Sequence, residues 1–524
     1  MNFHDAKVFV LFGLETEYGF AVASAKTSLE RRKYSSSLLL NAAMEKLAHL
    51  PSGGSTGVFL PNGSRFYIDQ GDHPEISTPE TANPWDAVRY QLAGDLILLR
   101  LKEAVEELLD EKEEVVLFKG NVCYRSKSTW GSHESYVHRI HPSQIAEQII
   151  PHLASRIIYT GAGGFINTST GLTFTLSPRV WHLEHETSES STHNRAIFHT
   201  KNEPLCSHGW NRLHLLCGES QCSIKGAWLR MATTALITAL IDHGRCPGEE
   251  MQLRRPIEAM RRFSLDPFCK TDVPSRAGRK LNAIQIQRHY LEEVKKCMEC
   301  KWMPDWAEIV CHEWDEMLAR LEDSPDSVCQ TIDWAIKYVM YTDYLERNNL
   351  SWRQADEITH ALKSMPAWKP PRTMSTSMFA SCFQRDDSDA KRRHMTIQQN
   401  LLKNIGMSEA EWNHFSNIRS KMFDIDAQFS ILGNKGIFNL LDRQGLLDHG
   451  IQGVNRIEEA AERPPDYGRA KLRGSSISHL SKGNQKQYIC FWDSIYNLTE
   501  RTLLDLSDPF SEQEQWIAFE SRHV

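Results

Sequence analysis

The sequence lacks an apolar stretch long enough to cross a membrane. The longest mostly apolar run, residues 227–241 (AWLRMATTALITALI), contains an arginine and is shorter than the roughly 18 apolar residues that a spanning helix needs. The apolar run VFVLFG near the N-terminus is too short for a signal peptide, lacks a cleavage site and continues into acidic sequence. We therefore expect neither a membrane span nor a secretory signal.

The sequence also lacks an excess of positive charge. Lys and Arg number 60 against 67 Asp and Glu, a net charge of −7, which argues against a non-specific nucleic-acid coat. The 41% hydrophobic and 24% charged fractions are those of an ordinary globular protein, so wholesale disorder is excluded. A chain of 524 residues is long enough for about two to four domains and a large core.

A dense disulfide framework is absent, because the 12 cysteines are scattered along the whole chain. Scattered cysteines in a long chain are typical of reduced thiols, and they predict a cytoplasmic protein. Cys297-x-x-Cys300 followed by Cys311-His312 has a spacing that suits zinc. The surrounding Leu/Glu/Lys-rich sequence predicts helices, in which free cysteine behaves as a small apolar residue. We favour that interpretation over a zinc site.

The order of β-rich and helical patterns predicts an α+β fold. We expect strands over residues 8–22, 115–120, 131–140 and 212–219, and a hairpin around Asn62-Gly63. A long helix begins at Pro84, and most of the sequence after the last of these strands is helical to about residue 450. These patterns predict antiparallel strands with helices packed on one face.

Composition changes mark two candidate boundaries. Residues 351–420 include a Pro-, Ser- and Met-rich stretch and the charge run RDDSDAKRR, which is typical of an inserted, partly mobile segment. The tail after about residue 456 mixes a basic run with β-rich sequence. We expect a catalytic domain over 1–455 that carries the insertion, and a small C-terminal domain over 456–524.

Charged and polar residues recur in pairs along the predicted strands. Side chains two residues apart in a strand point to the same face. Such pairs are Glu15 and Glu17, Tyr67 and Asp69, His73 and Glu75, His133 and Ser135, and Arg212 and His214. One such pair is ordinary on a solvated sheet, but several strands with the same feature are not. Neighbouring carboxylates repel each other and favour a hard divalent cation. Together with arginine and histidine they predict Mg²⁺ with phosphate, without a phosphate-binding glycine loop.

The order of these motifs resembles the Pup ligase family. The family joins a small protein tag, prokaryotic ubiquitin-like protein (Pup), to target lysines, and it includes a sister enzyme that deamidates or removes the tag. The matching motifs are GLETEYG (13–19), NGSRFYIDQGDHPE (62–75), GSHESY (131–136), NRLHLLCGE (211–219), TIDWAIK (331–337), GIFNLLDRQGL (436–446), RAKLRG (469–474) and TERTLLDLSDPF (499–510).

The resemblance implies a glutamine-synthetase-like fold, in which a curved antiparallel sheet binds ATP and Mg²⁺, with a small C-terminal domain. It also implies a role for individual positions. These are metal ligation by Glu15, Glu17, Glu75 and His214, lining of the metal and phosphate region by Tyr67, contact with the transferred phosphate by Arg212, acid/base catalysis by Asp69, and cofactor binding by Glu134 and Arg473.

The implied reaction is ATP-dependent ligation of a carboxylate to an amine. A carboxylate does not react with an amine at neutral pH until phosphorylation gives it a good leaving group, and Mg²⁺ with arginine neutralises the transferring phosphoryl group. The attacking lysine must lose a proton, and Asp69 is the candidate base. The expected partners are a Pup or Pup-like tag and lysine-bearing target proteins; we expect no membrane, and nucleic acid is disfavoured.

Two features favour the ligase branch over the deamidase branch. Four steps separate Asp69 from His73, as in the ligases, and the segment from Gly19 to Asn62 is too short for the extra loop of the deamidases. Residues 77–80 (STPE) instead resemble the deamidase pattern. The alternatives to ligation are therefore hydrolysis of the tag amide or isopeptide, a catalytically inactive nucleotide-binding adaptor, and a ligase for a small amino acid.

This sequence departs from the family pattern at several positions. Ser135 stands where asparagine is usual, Lys201-Asn202 where Arg-Asp is usual, and Thr81 where cysteine is common. The positions implied for metal and ATP are mostly intact, so the reaction is better supported than the identity of the tag.

Overall fold

The computed structural model describes residues 10–24, 34–54, 56–69, 71–168, 171–189, 194–200, 205, 209–363, 402–403 and 406–519. The strands of this part are β1 (Phe12–Glu17), β2 (Gly19–Ser24), β3 (Leu50–Pro51), β4 (Gly57–Phe59), β5 (Arg65–Asp69), β6 (His73–Ser77), β7 (Glu113–Phe118), β8 (Ser132–His138), β9 (Gly164–Phe165), β10 (Phe174–Thr175), β11 (His185–Ser188), β12 (Ala196–His199), β13 (Asn211–Leu215), β14 (Val273–Pro274), β15 (Lys280–Leu281), β16 (Tyr488–Cys490), β17 (Ser494–Asn497), β18 (Thr502–Asp505) and β19 (Trp516–Ala518).

The α-helices of the same part are α1 (Ser37–Lys46), α2 (Pro84–Glu106), α3 (Pro142–Ser155), α4 (Ile157–Thr160), α5 (Ile224–Asp242), α6 (Pro256–Ser264), α7 (Ala283–Lys295), α8 (Ala307–Asp323), α9 (Asp333–Arg347), α10 (Trp352–Lys363), α11 (Glu409–Phe429), α12 (Ile437–Arg443), α13 (Ile457–Glu462) and α14 (Gly468–Leu480). The long helix predicted to begin at Pro84 is confirmed as α2, in which the Asn83 side chain accepts a hydrogen bond from the Asp86 N–H and caps the first turn.

A nine-stranded sheet forms the centre of the fold. Its strand order is β11-β12-β13-β8-β1-β6-β5-β4-β3, and every neighbouring pair is antiparallel except β11 with β12. The hairpin predicted around Asn62-Gly63 is confirmed by the pairing of β4 with β5. Gly63 has a φ of 82°, a left-handed conformation that favours glycine.

The single strand predicted over residues 8–22 is two strands in different sheets. β1 lies in the central sheet, whereas β2 pairs with β7 in a separate two-stranded sheet. The change of sheet occurs at Gly19, where the ring of Phe118 occupies the space of a Cβ atom, 2.2 Å away at its nearest atom. A side chain at this position would collide with the ring, so glycine permits the crossing.

The two faces of the central sheet have different chemistry. Along β8, residues 132, 134, 136 and 138 are buried and residues 133, 135 and 137 are half-exposed. The buried face packs against helices that include α5, whose Trp228 and Leu236 belong to the main apolar core. Among the described residues, α5 alone has the length and composition of a membrane span, and 94% of that window is buried inside the protein. The opposite face of the sheet carries the half-exposed residues of β8, which include His133 and Ser135.

The C-terminal part adds a four-stranded sheet, β16-β17-β18-β19. Its core includes Ile495 and Leu504 together with Leu50 of β3 and Phe59 of β4. The C-terminal sheet therefore shares its apolar core with the edge of the central sheet, and this arrangement fixes its position beside β3 and β4.

Both ends of the predicted insertion are packed helices. Ala355 of α10 and Phe415, Ile418 and Met422 of α11 belong to the main apolar core. Most of the segment between these helices, residues 364–401, lies outside the described residues, and its predicted mobility stays a prediction.

The cysteines considered for zinc lie in an apolar environment. Cys297 and Cys311 are buried members of the main core, and Cys300 packs against it. Burial raises the pKa of the Cys311 thiol to about 11, so this thiol is protonated at neutral pH, as expected for a small apolar residue.

Candidate active site

Strand register brings the predicted acidic residues together on the polar face of the central sheet. Glu15 of β1 lies opposite Ser77 of β6 on one side and His133 of β8 on the other. Glu17 lies opposite Glu75, and Glu75 lies opposite Tyr67 of β5. Directly opposed residues have Cβ atoms about 4.5–5.5 Å apart, so these four strands bring their side chains into one cluster.

Glu15 is at the centre of this cluster. Its Oε1 accepts a hydrogen bond of 2.5 Å from Arg212, and its Oε2 lies 3.5 Å from His214 Nε2 and 3.6 Å from His133 Nδ1. Burial by itself raises the pKa of Glu15, but Arg212 and the two histidines outweigh it and hold this pKa well below the usual value. Glu15 is therefore ionised at neutral pH.

Glu75 has the opposite electrostatic environment. It is 3% exposed, and burial together with the charges of Glu17, Glu15 and Asp69 raises its pKa well above the usual value. Tyr67 is affected similarly, because burial and then Glu75 and Glu15 raise its pKa. The side chains of Glu75 and Tyr67 thus lie where the neighbouring carboxylates concentrate negative charge.

The arrangement of donors fits a hard divalent cation. Two groups have ligand atoms within 4.8 Å of one another, namely Glu15 with His133 and His214, and Glu17 with Glu75 and His133. Nε2 of His214 is buried and has no hydrogen bond of normal geometry, and Glu15 Oε2 lies 3.5 Å from it. Burial and Arg212 lower the pKa of His214 to about 3, so its imidazole is neutral and has a lone pair for a ligand. Carboxylate oxygens are the donors that Mg²⁺ prefers.

The sequence placed His133 among the polar strand pairs but gave it no specific role, and it did not indicate Arg179 at all. His133 belongs to both groups of candidate metal ligands. Its Nε2 lies 3.3 Å from Nη2 of Arg179. The alternation of His133 with Ser135 along β8 was the sequence pattern that could have identified it.

Arg179 lies in a 3-10 turn far along the chain, and no local pattern marks it. A Cβ atom on residue 131 would lie only 2.8 Å from Nε of Arg179. Glycine at position 131 therefore leaves room for the Arg179 side chain.

Asp69 lies at the end of β5, directly opposite His73 at the start of β6. The His73 ring stacks on Trp130 at a centroid distance of 4.8 Å, and its Nδ1 donates to the Tyr18 carbonyl at 3.2 Å. The negative charge of Asp69 contributes to the raised pKa of Glu75. Asp69 therefore borders the carboxylate cluster on the side opposite Arg212.

A cavity of about 100 Å³ opens beside Glu15 and Arg212. It runs from the central sheet to the C-terminal sheet and is lined mainly by apolar groups. Its wall includes Phe12, Val137, Thr78, Arg469, Trp492 and Pro509. The apolar part of the wall leads directly to the charged cluster, a combination that suits a ligand with one apolar and one strongly anionic end.

The position of Glu134 differs from the cofactor-binding role that the resemblance implies. It lies on β8 between His133 and Ser135, so strand alternation turns its side chain to the opposite face. Glu134 is completely buried and forms two hydrogen bonds with Arg156, of 2.6 and 2.9 Å. This position excludes direct contact with a ligand on the polar face, and Glu134 acts instead as a buried ion-pair partner.

Arg473 also differs from the expectation of a nucleotide contact. Its guanidinium is completely buried, donates to both carboxylate oxygens of Glu80 and to the Gly63 carbonyl, and lies 4.6 Å from the centre of the Trp492 ring. Arg469, one helical turn earlier, bonds Glu80 at 2.6 Å and lines the cavity. The helix α14 therefore presents Arg469 to the cavity and uses Arg473 to anchor itself.

The chain is similar in sequence to known proteins. A family model described as "Pup-ligase protein" matches residues 10–363 and 378–496. A Pup–protein ligase from Sanguibacter keddieii is 27% identical over 515 residues, which cover 96% of this chain and 97% of that protein. A Pup–protein ligase from Arthrobacter sp. is 32% identical over 65% of this chain and 75% of its own length. A depupylase from Acidothermus cellulolyticus is 33% identical over 57% of this chain and 60% of its own length.

Two solved structures share the fold. The crystal structure of the complex between prokaryotic ubiquitin-like protein Pup and its ligase PafA matches with a TM-score of 0.71 and 23% identity, over 98% of this chain and 91% of that chain. The structure of the Pup ligase PafA with ADP matches with a TM-score of 0.66 and 23% identity, over 95% of this chain and 97% of that chain. These likenesses confirm the predicted α+β fold with a large sheet and a small C-terminal sheet.

Proposed function

The chain belongs to the Pup ligase family, and from this premise we propose that it uses ATP to join the C-terminal glutamate of Pup, or of a Pup-like tag, to a target lysine through an isopeptide bond. The observation that carries the proposal is the meeting of Glu15, Glu75 and Arg212 on one sheet face, beside a cavity that extends toward Trp492. Carboxylates with an arginine beside an apolar cavity suit a nucleoside triphosphate with its metal ion.

The cavity suggests how the nucleotide lies. The apolar wall near Trp492 and Pro509 suits the base, and the phosphates would extend toward Arg212 and Glu15. Arg469 lines the same cavity and offers a second positive charge between these ends. A solved structure of a Pup ligase that shares this fold is a complex with ADP, which supports nucleotide binding by this chain.

We assign Mg²⁺ to the carboxylate cluster. Glu15, Glu17, Glu75 and His214 would hold it, with His133 as an additional ligand. When bound, the cation neutralises negative charge on the phosphates and on the cluster. The position of His214 Nε2, 3.5 Å from Glu15 Oε2, and the raised pKa of Glu75 support this assignment.

In the first step a carboxylate oxygen of the tag glutamate forms a bond to the γ-phosphorus, and the bond to the β,γ-bridging oxygen breaks. Arg212 is already oriented by Glu15 and by a 2.9 Å hydrogen bond from its Nε to Ser135 Oγ. A preoriented guanidinium stabilises the charge of the transferring phosphoryl group without reorganisation during the reaction. The products of this step are ADP and an acyl phosphate on the tag.

In the second step the target lysine attacks the acyl phosphate. Its amine has an unperturbed pKa of about 10.4 and must lose a proton for the bond to form. Asp69, at the border of the cluster, accepts this proton, a contribution typically of about 10²–10⁴-fold. The carbon–nitrogen bond forms, and inorganic phosphate leaves. A reaction that consumes ATP, and cysteines that include buried free thiols, also fit the proposed cytoplasmic location.

The ratio of nucleotide to product tests the proposal. Purified protein is incubated with ATP, Mg²⁺, a tag ending in glutamate and a lysine-bearing target, and ADP and conjugate are quantified. Ligation predicts one ADP for each isopeptide, and no ADP when the tag is omitted. Release of tag from a preformed conjugate without stoichiometric ATP consumption would instead support depupylation, the activity named for the relative at 33% identity.

Two other outcomes would overturn ligation to a protein. Binding of nucleotide and tag without any reaction would indicate an inactive adaptor. ADP formation with a free amino acid and ammonia or an amine, in the absence of a tag, would indicate a small-molecule ligase.

A further inference from the structure

The turn between β5 and β6 holds an unusual backbone conformation next to Asp69. Gly71 has a φ of 92° and Asp72 a φ of 68°, and the Asp72 N–H donates to the Asp69 carbonyl at 3.2 Å. A positive φ is ordinary for glycine and uncommon for other residues, among which Asp and Asn are the most tolerant. The tip of the turn therefore holds an aspartate whose backbone has a conformation that is uncommon for residues other than glycine.

The Asp72 carboxylate ties this turn to the start of α1. Its Oδ1 accepts three hydrogen bonds, from Ser35 Oγ at 2.8 Å, from the Ser36 N–H at 3.1 Å and from Ser36 Oγ at 2.7 Å. All three donors bond the same oxygen. The contact therefore requires an acceptor atom at this place, and a negative charge nearby would not replace it.

The anchor on α1 is itself buried and packed. Ser36 is completely buried and occupies the N-cap position of α1, yet its hydroxyl does not cap the helix. A serine at this position usually bonds the backbone of its own helix, but here its hydroxyl bonds Asp72. Leu39 of α1 packs in one apolar cluster with Phe66 of β5 and Ile76 of β6. The anchor and the strands that flank the turn thus belong to one packed unit.

We propose that Asp72 is a positioning residue for Asp69. Through Ser35 and Ser36 it fixes the tip of the turn, and the bond from its N–H to the Asp69 carbonyl transmits this constraint to the proposed base. Asp69 is the last residue of β5 before the turn, so a shift of the tip displaces the backbone that carries its carboxylate. A misplacement of about 1 Å can lower a rate about 10²-fold. This inference rests on the proposed function, because it assumes that Asp69 receives the lysine proton.

Two substitutions of Asp72 separate the acceptor oxygen from the backbone conformation. Asp72→Gly accepts the positive φ but removes Oδ1, whereas Asp72→Asn tolerates the same φ and keeps an acceptor oxygen in that position. We expect Asp72→Gly to lower kcat for tag transfer about 10- to 100-fold with unchanged KM for ATP and tag. Asp72→Asn should stay within about threefold of the unsubstituted protein.

Ser36→Ala provides the partner for a double-mutant cycle. Because Ser36 acts through Asp72, the variant carrying both Asp72→Gly and Ser36→Ala should be no slower than Asp72→Gly alone. ADP binding and the urea midpoint of unfolding, measured on each variant, should change little. An equal loss in Asp72→Asn and Asp72→Gly would assign the effect to charge and overturn the proposal. An unchanged kcat in Asp72→Gly, or a loss explained by weaker ADP binding, would overturn it as well.

Hydrogen exchange of the peptide spanning residues 65–77 provides a readout that does not need activity. Exchange should be faster in Asp72→Gly and Ser36→Ala than in the unsubstituted protein and in Asp72→Asn. Equal exchange in all four proteins would overturn the positioning of the turn. Absence of tag transfer in the unsubstituted protein, combined with the expected exchange pattern, would instead overturn the proposed function and leave the constraint on the turn established.

Discussion

Arg212 Nη2 lies 2.5 Å from Oε1 of Glu15, although 197 residues separate the two in the chain. The contact spans β8, because Glu15 lies on β1 and Arg212 on β13, with β8 between them. Both side chains are about one-fifth exposed or less, at 21% for Glu15 and 15% for Arg212. The ion pair joins a proposed metal ligand to a proposed phosphate contact, and both residues line the cavity.

Replacing Arg212 with lysine tests its role in phosphoryl transfer. Lysine keeps the positive charge but cannot hold both Ser135 and Glu15 with a planar fork of donors. We expect Arg212→Lys to lower kcat for tag-dependent ADP formation about 10²–10³-fold, as measured by steady-state kinetics. Arg353→Lys on the exposed face of α10, where the arginine side chain is 88% exposed, is the matched control and should retain full activity. Full activity of Arg212→Lys would contradict the proposed phosphate contact.

Replacing Asp69 with asparagine tests the proposed base. The amide has similar size but cannot accept the lysine proton, so isopeptide formation should fall about 10²–10⁴-fold. ADP binding, measured by calorimetry, should remain close to that of the unsubstituted protein. Asp343→Asn, at an exposed site on α9, is the control for a change of charge. Retained transfer by Asp69→Asn would remove Asp69 from the mechanism.

Glu134→Gln distinguishes a buried ion pair from a nucleotide contact. The substitution leaves Arg156 buried without a full counter-charge, so we expect the free energy of unfolding to fall by about 3–5 kcal/mol. Thermal or urea unfolding measures this loss, and Glu357→Gln, whose side chain is 61% exposed on α10, should show almost none. A stable Glu134→Gln variant with weakened ADP binding would restore Glu134 to the nucleotide site.

The ion pairs of Glu80 predict acid sensitivity of the attachment between α14 and the central sheet. Burial alone raises the pKa of Glu80, but Arg473 and Arg469 outweigh burial and lower it to about 2. In the unfolded chain the pKa of glutamate is about 4.3. Because the folded pKa is the lower one, the stabilisation is complete above about pH 4.3 and is lost as the pH falls toward 2.

Urea unfolding from pH 6 to pH 2.5 checks this prediction. Glu80→Gln should be less stable by about 3–5 kcal/mol near neutral pH, because two buried arginines lose their counter-charge. The difference between the two proteins should shrink below about pH 4. A difference that does not depend on pH would show that the carboxylate charge is not the stabilising element.

Strand alternation predicted a substantial part of the site. Glu15 with Glu17, Tyr67 with Asp69, and Arg212 with His214 each share a face in the structure, because successive side chains of a strand point to opposite sides. The same rule, applied to β8, separates His133 from Glu134. The family resemblance selected Glu134, whereas the period of the strand turns it into the core.

Arg473 and Arg179 show what a local pattern does not contain. The basic motif on α14 identifies several cationic side chains, but only the packing of this helix against Glu80 and Trp492 decides that Arg473 is buried and that Arg469 faces the cavity. Arg179, in a 3-10 turn, lies 3.3 Å from His133 of β8, and the two segments share no sequence motif. Neither outcome follows from residue spacing.

The sequence by itself determined the kinds of elements, the face on which each strand places its polar residues, and the set of motifs that identifies the family. These properties depend on residues that are near neighbours in the chain, so period and spacing encode them. Tertiary structure decided which strands are adjacent, and thereby that Glu15 meets Arg212 and that Glu17 meets Glu75. Such contacts depend on how distant segments bury their apolar faces together, and no local pattern specifies that choice.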